Sequence, residues 1–146
     1  MNQLIKGAKI VSLITPTAGA AGTSAINSSV IDFAGYEGAL ILIHVGAVVS
    51  GAVTSVKFQG GATSSPTTDI EGTNQTIADT DDDTIKYIDI RRPTLRYGRI
   101  VVSRATQNAT IGSAIALLYG SRNRPVTQPS ATVAGETFVS PAAGTA

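Results

Sequence analysis

Apolar residues recur along this chain with the period of β-strands, and this pattern limits the fold more than any other feature. No segment sustains apolar residues at i, i+3, i+4 and i+7, as a helix with one buried face requires. Short apolar or alternating segments, separated by turn residues every ~8–12 positions, instead predict roughly seven or eight strands. They cover residues 4–14, 26–33, 39–45, 52–59, 85–90, 98–103 and 111–119, with a short strand around 69–71. The predicted fold class is all-β, an antiparallel β-sandwich that is jelly-roll or immunoglobulin-like.

Two of these strands have patterns that predict their surroundings. Residues 39–45 are apolar at nearly every position, as in a central strand that is buried on both faces. In residues 111–119 the alternation places large residues on one face and small ones on the other: Ile111, Ile115, Leu117 and Tyr119 against Gly112, Ala114 and Ala116. A face of small residues allows a second surface to approach closely. We therefore expect a homo-oligomer, a dimer or a trimer, whose contacts cover part of this surface.

The strand pattern ends at Gly120. A chain of 146 residues has the usual length of one domain. We predict that residues 1–120 form the β-sandwich domain and that residues 121–146 form an extended C-terminal arm, because the latter contain three prolines and few apolar residues. Such a segment buries too little to offset its ordering entropy, so either it folds back on its own domain or a partner holds it, and we favour the partner. Its candidate anchors are Val133, Phe138 and Val139.

The charged residues are divided by sign along the chain. Seven of the ten acidic residues lie between Asp69 and Asp89, and all seven arginines lie between Arg91 and Arg124. The net charge of +1 therefore conceals a dipole, of the kind that a subunit uses to dock in register on its neighbours. Arginine is enriched in protein interfaces, and its planar fork pairs bidentately with carboxylates. The candidate protein contacts are Arg91, Arg92, Arg96, Arg99, Arg122 and Arg124.

Other interpretations of these charges are less favoured. Nucleic-acid binding disagrees with the low net charge, the nearby acidic cluster and the scarcity of aromatic residues for stacking. An ordinary solvated face is the second alternative for the arginines. The acidic run at residues 79–83 lacks the alternating ligands, turn glycine and distal glutamate of an EF-hand loop. We expect a solvated turn whose carboxylates cap backbone groups, with a hard-cation site as the alternative.

The chain has few residues that could carry out catalysis. It contains no cysteine, which excludes disulfides, thiolate metal ligands and a thiol nucleophile. His44 is the only histidine, and its place within a predicted central strand indicates a core or edge residue rather than a general base. We therefore expect no enzymatic activity and no cofactor.

The composition also predicts where the protein is found. Charged residues make up only 14% of the chain, against about 25% in ordinary domains, and such a surface tends to be covered by a partner. The longest apolar stretch, residues 39–45, is far shorter than the ~20 residues of a membrane helix. The amino-terminal residues lack the layout of a signal peptide. We expect an intracellular product that makes no membrane contact.

Part of the chain resembles the cement, or decoration, proteins on the heads of tailed bacteriophages. The resemblance covers residues 69–128, and the segments that carry it include Tyr87-Ile-Asp-Ile-Arg-Arg-Pro, Leu95-Arg-Tyr-Gly-Arg-Ile-Val-Val-Ser-Arg-Ala and Ala116-Leu-Leu-Tyr-Gly-Ser-Arg-Asn-Arg-Pro-Val. It implies a β-sandwich subunit on the outside of an icosahedral shell, where it bridges neighbouring major capsid proteins after the shell expands. The implied partners are the major capsid protein and further copies of the chain. The implied location is the outer capsid surface of the virion, after synthesis in the host cytoplasm.

The competing interpretation is a carbohydrate- or receptor-binding β-sandwich module of a phage fibre or adhesin. Sugar sites usually combine exposed aromatic platforms with nearby polar groups. This chain has no tryptophan and few other aromatic residues. The sequence therefore favours the structural viral protein over the carbohydrate-binding module.

Overall fold

The structure is a computed structural model that describes residues 3–139 and 142–144. Its elements, in chain order, are α1 (Leu4–Gly7), β1 (Lys9–Ile14), β2 (Ile26–Asn27), β3 (Ile31–Asp32), β4 (Gly38–Val48), β5 (Val53–Gly61), β6 (Thr68–Asp69), β7 (Gln75–Ile77), β8 (Ile85–Arg91), β9 (Tyr97–Ala105) and β10 (Ala109–Tyr119). All strand pairings among these elements are antiparallel, which confirms the predicted all-β class. In the described ranges no helix is long and apolar enough to cross a membrane.

The strands form two sheets with the connectivity of a jelly roll. Sheet A has the order β1-β10-β4-β8, and sheet B has the order β2-β9-β5-β6, with β3 also on β9 and β7 also on β5. The short strands β2 and β3 therefore act as one interrupted strand, as do β6 and β7. Strands therefore pair from the two ends of the chain inward: β1 with β10, β2 and β3 with β9, β4 with β8, and β5 with β6 and β7. This is the pairing of a double-sheet jelly roll.

The core lies between the inner faces of the two sheets. Fully buried aliphatic side chains of β4, such as Ile41 and Ile43, belong to the same buried cluster as Val56 and Ile100 of sheet B. Phe58 of β5 adds an edge-to-face contact with Phe33, with ring centroids 6.1 Å apart. Full burial of each large apolar side chain contributes ~1.5–3 kcal/mol. The apolar residues at every second position of the predicted strands therefore supply the core.

The predicted strands at residues 4–14 and 26–33 differ from the observed elements, the first at its start and the second at its centre. Residues 4–7 form the helical turn α1 because β1 begins by pairing Lys9 with Leu118, at the end of β10. The preceding residues have no strand to pair with and close their hydrogen bonds locally. The predicted strand at 26–33 is interrupted between β2 and β3, where Ser28 Oγ accepts the Ile100 N–H at 3.0 Å. Strand β7 lies in a region predicted to be loop.

The faces of β10 and β4 also differ from the prediction. Irregularities on either side of Ile111 shift the alternation of β10, so that Ile111, Ala114 and Ala116 are all buried. The small residues therefore contact sheet B, and the prediction that they face a second subunit is wrong. Strand β4 is buried on its inner face only, because a two-layer sandwich covers each sheet once.

The segment after β10 begins by contacting its own domain. Val126 N–H donates to Lys6 O at 3.0 Å. The Gln128 side chain accepts from Ile10 N–H and donates to the carbonyls of Ile5 and Ala8, at distances between 2.8 and 3.1 Å. For these residues the chain folds back on itself, contrary to the interpretation we favoured. Within the predicted arm, residues 140, 141, 145 and 146 lie outside the described residues.

Candidate protein-docking surfaces

The acidic and basic residues that are separated along the sequence are also separated in the folded structure. The acidic loop, residues 79–83, precedes β8, and Arg91 and Arg92 lie at its other end. A strand of this length spans about 20 Å. The acidic and basic groups are therefore held at opposite ends of sheet A by one straight element.

Three of the six candidate arginines line one cleft, which we call the arginine cleft. Arg92, Arg96 and Arg122 lie around a space of about 580 Å³, together with Glu37 and the loop at residues 33–36. The cleft forms because two backbone hydrogen bonds draw its segments together. Arg92 N–H donates to Glu37 O at 2.7 Å, and Arg122 N–H donates to Gly35 O at 2.9 Å.

Arg96 is held in place by a bidentate ion pair. Its Nε and Nη2 donate to the two carboxylate oxygens of Asp32 at 3.0 and 2.9 Å. Its guanidinium also lies 4.9 Å from the centre of the Tyr97 ring. The hydrogen bonds from Arg96 lower the pKa of Asp32 below its usual range. This pair fixes one wall of the cleft and already neutralises one of the three arginines.

Arg92 and Arg122 differ from Arg96 because neither has an ion-pair partner among the described residues. Among residues 3–139 and 142–144 the ion pairs are Lys57–Asp69, Lys86–Asp81 and Arg96–Asp32, none of which involves them. Both side chains are exposed. Arg92 also adopts φ 51°, in the left-handed region that is costly for a residue with a Cβ. Residues held in such conformations cluster at functional sites.

The other three candidate arginines lie elsewhere. Arg91 is exposed at the end of β8 and does not line the arginine cleft. Arg99 lies on the outer face of sheet B, where its Nε donates to Gln59 Oε1 at 2.9 Å. Arg124 lies beside α1. Its guanidinium carbon is 3.5 Å from the position that a Cβ on Gly7 would occupy. The six residues therefore do not form one group.

Arg104 has a structural role that sequence reasoning missed. Its Nε donates to Ser24 O, and its Nη1 donates to the carbonyls of Ala20 and Ala109, at distances of 2.7 to 2.8 Å. Burial lowers the pKa of this guanidinium. Arg104 thus ties the small-residue connector after β1 to the sandwich. The sequence held no signal for it, because its partners are backbone carbonyls.

The carboxylates of the acidic loop cap backbone N–H groups, but only Asp81 caps its own turn as predicted, while Asp79 and Asp82 cap the turn between β4 and β5. Asp79 accepts the Gly51 N–H at 3.2 Å, and Asp82 accepts the Val48 N–H at 2.7 Å. Asp81 accepts the Ala78 N–H at 2.8 Å and pairs with Lys86. Within the described part of the chain, no group of three or more acidic or histidine side chains is arranged to hold a metal ion.

His44 lies on β4 as predicted, but it is exposed on the outer face of sheet A. Its register partners are Ser113 on β10 and Ile85 on β8. The expectation of a core or edge histidine is therefore wrong, because β4 is an inner strand of its sheet with one open face.

The three candidate anchors of the arm have different surroundings. Val133 is half-buried and lines a cleft of about 480 Å³ with Leu4, Ile5 and Ile10. Phe138 and Val139 are 68% and 86% exposed. Val133 therefore belongs to the sandwich in this structure, whereas the other two remain accessible.

A comparison with protein-family models found no match to this chain, and a comparison with curated protein sequences also found none.

Proposed function

We propose that this protein is a structural viral protein, a cement or decoration subunit. It binds the outer surface of a bacteriophage capsid and stabilises the shell by bridging neighbouring major capsid proteins. The observation that carries the proposal is the arginine cleft, in which Arg92 and Arg122 lack carboxylate partners within the described chain.

The chemistry of the cleft fits an acidic surface on another protein. Two exposed guanidinium groups at one opening can bind carboxylates bidentately, with defined geometry. The Asp32–Arg96 pair holds the wall beside them, whereas the exposed side chains of Arg92 and Arg122 become ordered on binding. A cleft of this kind provides specificity and attracts an oppositely charged partner.

A bridging subunit also needs a second contact, and the end of the chain supplies a candidate. Phe138 and Val139 are exposed apolar residues beyond the tether at Gln128. The chain follows its own domain as far as Thr137, and the residues after it can reach a second capsid protein. Many copies on one shell increase the effective concentration of each contact.

Attachment to isolated capsids tests the proposal. The double variant Arg92→Asn with Arg122→Gln removes both charges, and asparagine tolerates the left-handed conformation of residue 92. We expect it to bind mature capsids at least about tenfold more weakly in co-sedimentation, since loss of one partner of a buried ion pair costs ~2–5 kcal/mol. High salt should also weaken the binding of the parent chain to capsids.

Arg99→Gln is the matched control, because Arg99 is bonded to Gln59 on the outer face of sheet B. It should bind capsids like the parent chain. Unchanged attachment of the double variant, at low and high salt alike, would show that the cleft is only solvated. Binding of the parent chain to a glycan array but not to capsids would instead support a carbohydrate-binding module.

A further inference from the structure

The outer face of sheet A carries an apolar patch on three neighbouring strands, between His44 and Ser113 at one end and Asp89 at the other. It is formed by Leu40 and Leu42 of β4, Ile115 and Leu117 of β10, and Ile85 and Tyr87 of β8. The register places Ile115, Leu42 and Tyr87 side by side in one row across the sheet. Ile85 and Tyr87 are 62% and 64% exposed, and the other four are half-buried. A monomer therefore leaves this surface in contact with water.

The outer face of sheet B carries polar side chains, in contrast to that of sheet A. There Lys57 pairs with Asp69 at 2.7 Å, and Gln59 bonds both Asp69 and Arg99. Antiparallel sheets that face water normally show such polar side chains on the outer face. The strand β4 has apolar residues on both faces, as is typical of a strand covered by a further layer.

We infer that a second copy of the chain packs on the outer face of sheet A, forming a two-fold dimer. A two-fold axis that crosses the strands at the row of Tyr87 places β8 against β8 of the partner in the opposite direction. The basic end of each copy, at Arg91, then faces the acidic loop of the other. The apolar centre meets an identical centre, and the dipole of one copy runs against that of its partner at both ends.

Charge complementarity supports a second copy as the occupant, because an identical partner brings the oppositely charged end of its own sheet to each end of this one. Three strands about 4.8 Å apart and seven residues of about 3.4 Å give the apolar patch a flat footprint of about 340 Å². Two copies contribute about 680 Å², less than the about 1,000 Å² of a stable specific interface, so the dimer is a weak one that depends on the charge pairs at its ends. The inference does not depend on the capsid proposal, because it concerns the protein alone in solution.

Sedimentation equilibrium of the full chain over a range of concentrations tests the inference. We expect a monomer–dimer equilibrium that Tyr87→Lys weakens at least about tenfold, because the two-fold axis at residue 87 brings the two introduced lysines of a dimer against each other in place of an apolar contact. Val53→Lys is the matched control, since Val53 is an aliphatic residue of sheet B that is 64% exposed. It should leave the equilibrium unchanged.

A charge exchange tests the two-fold arrangement. Arg91→Glu alone and Asp83→Lys alone should each weaken the dimer, and the double variant should restore it, because the altered ends again have opposite charge. A parent chain that is monomeric at all concentrations, or a trimer, would overturn the inference. Equal weakening by Val53→Lys, or a double variant weaker than both single variants, would also overturn it.

Discussion

Replacing Ser28 by alanine should destabilise the sandwich measurably, because this side chain substitutes for a missing piece of strand. Between β2 and β3 the ladder on β9 is interrupted, and Ser28 Oγ accepts the buried Ile100 N–H at 3.0 Å. The same hydroxyl donates to Ser29 O at 2.8 Å. Ser28 itself is only 8% exposed. In the alanine variant, water has little access to the Ile100 amide.

The magnitude follows from that unsatisfied donor. A buried N–H that loses its partner costs about 1–3 kcal/mol. For a domain of this length, 1 kcal/mol lowers Tm by about 2–4 °C, so we expect a decrease of roughly 2–12 °C. The amide of Ile100 should also exchange its hydrogen faster than in the parent protein.

Thermal and urea unfolding, followed by circular dichroism at one protein concentration, measures the loss. The fixed concentration is needed because self-association would change the apparent stability. Ser29→Ala is the control, since Ser29 is exposed, and it should alter the free energy of unfolding by less than about 0.5 kcal/mol. Identical melting of the two variants would refute the bridging role of Ser28.

Two further stability predictions concern the core and the end of the chain. Thr54 Oγ1 is buried without a hydrogen-bond partner among the described residues, so Thr54→Val should raise the free energy of unfolding by about 1–3 kcal/mol, while Thr76→Val on the exposed face should not. Urea unfolding that shows no gain for Thr54→Val would contradict this. Deleting residues 138–146 should leave Tm nearly unchanged, whereas deleting 125–146 should lower it, because only the longer deletion removes the three hydrogen bonds of Gln128 and the packing of Val133. Equal Tm values for the two truncated chains would show that this tether does not stabilise the domain.

The sequence by itself determined the class of fold and the distribution of charge. Strand periodicity is a local property, so the long strands β4, β5, β8, β9 and β10 were predicted within a few residues of their observed bounds. The separation of acidic and basic residues along the chain also carried over, because the straight strand β8 joins the two groups.

Only the tertiary structure decided which side chains meet and which faces remain open. The Asp32–Arg96 pair joins residues 64 positions apart, and no local pattern signals such a contact. Irregular pairing on either side of Ile111 moved this residue to the inner face with Ala114 and Ala116, away from Ile115 and Leu117, because one extra residue in a strand exchanges its two faces. Arg92 leaves β8 at φ 51° and lines the arginine cleft, whereas adjacent Arg91 does not. Long-range pairing and register therefore set which side chains form the candidate docking surfaces, and both depend on the whole fold.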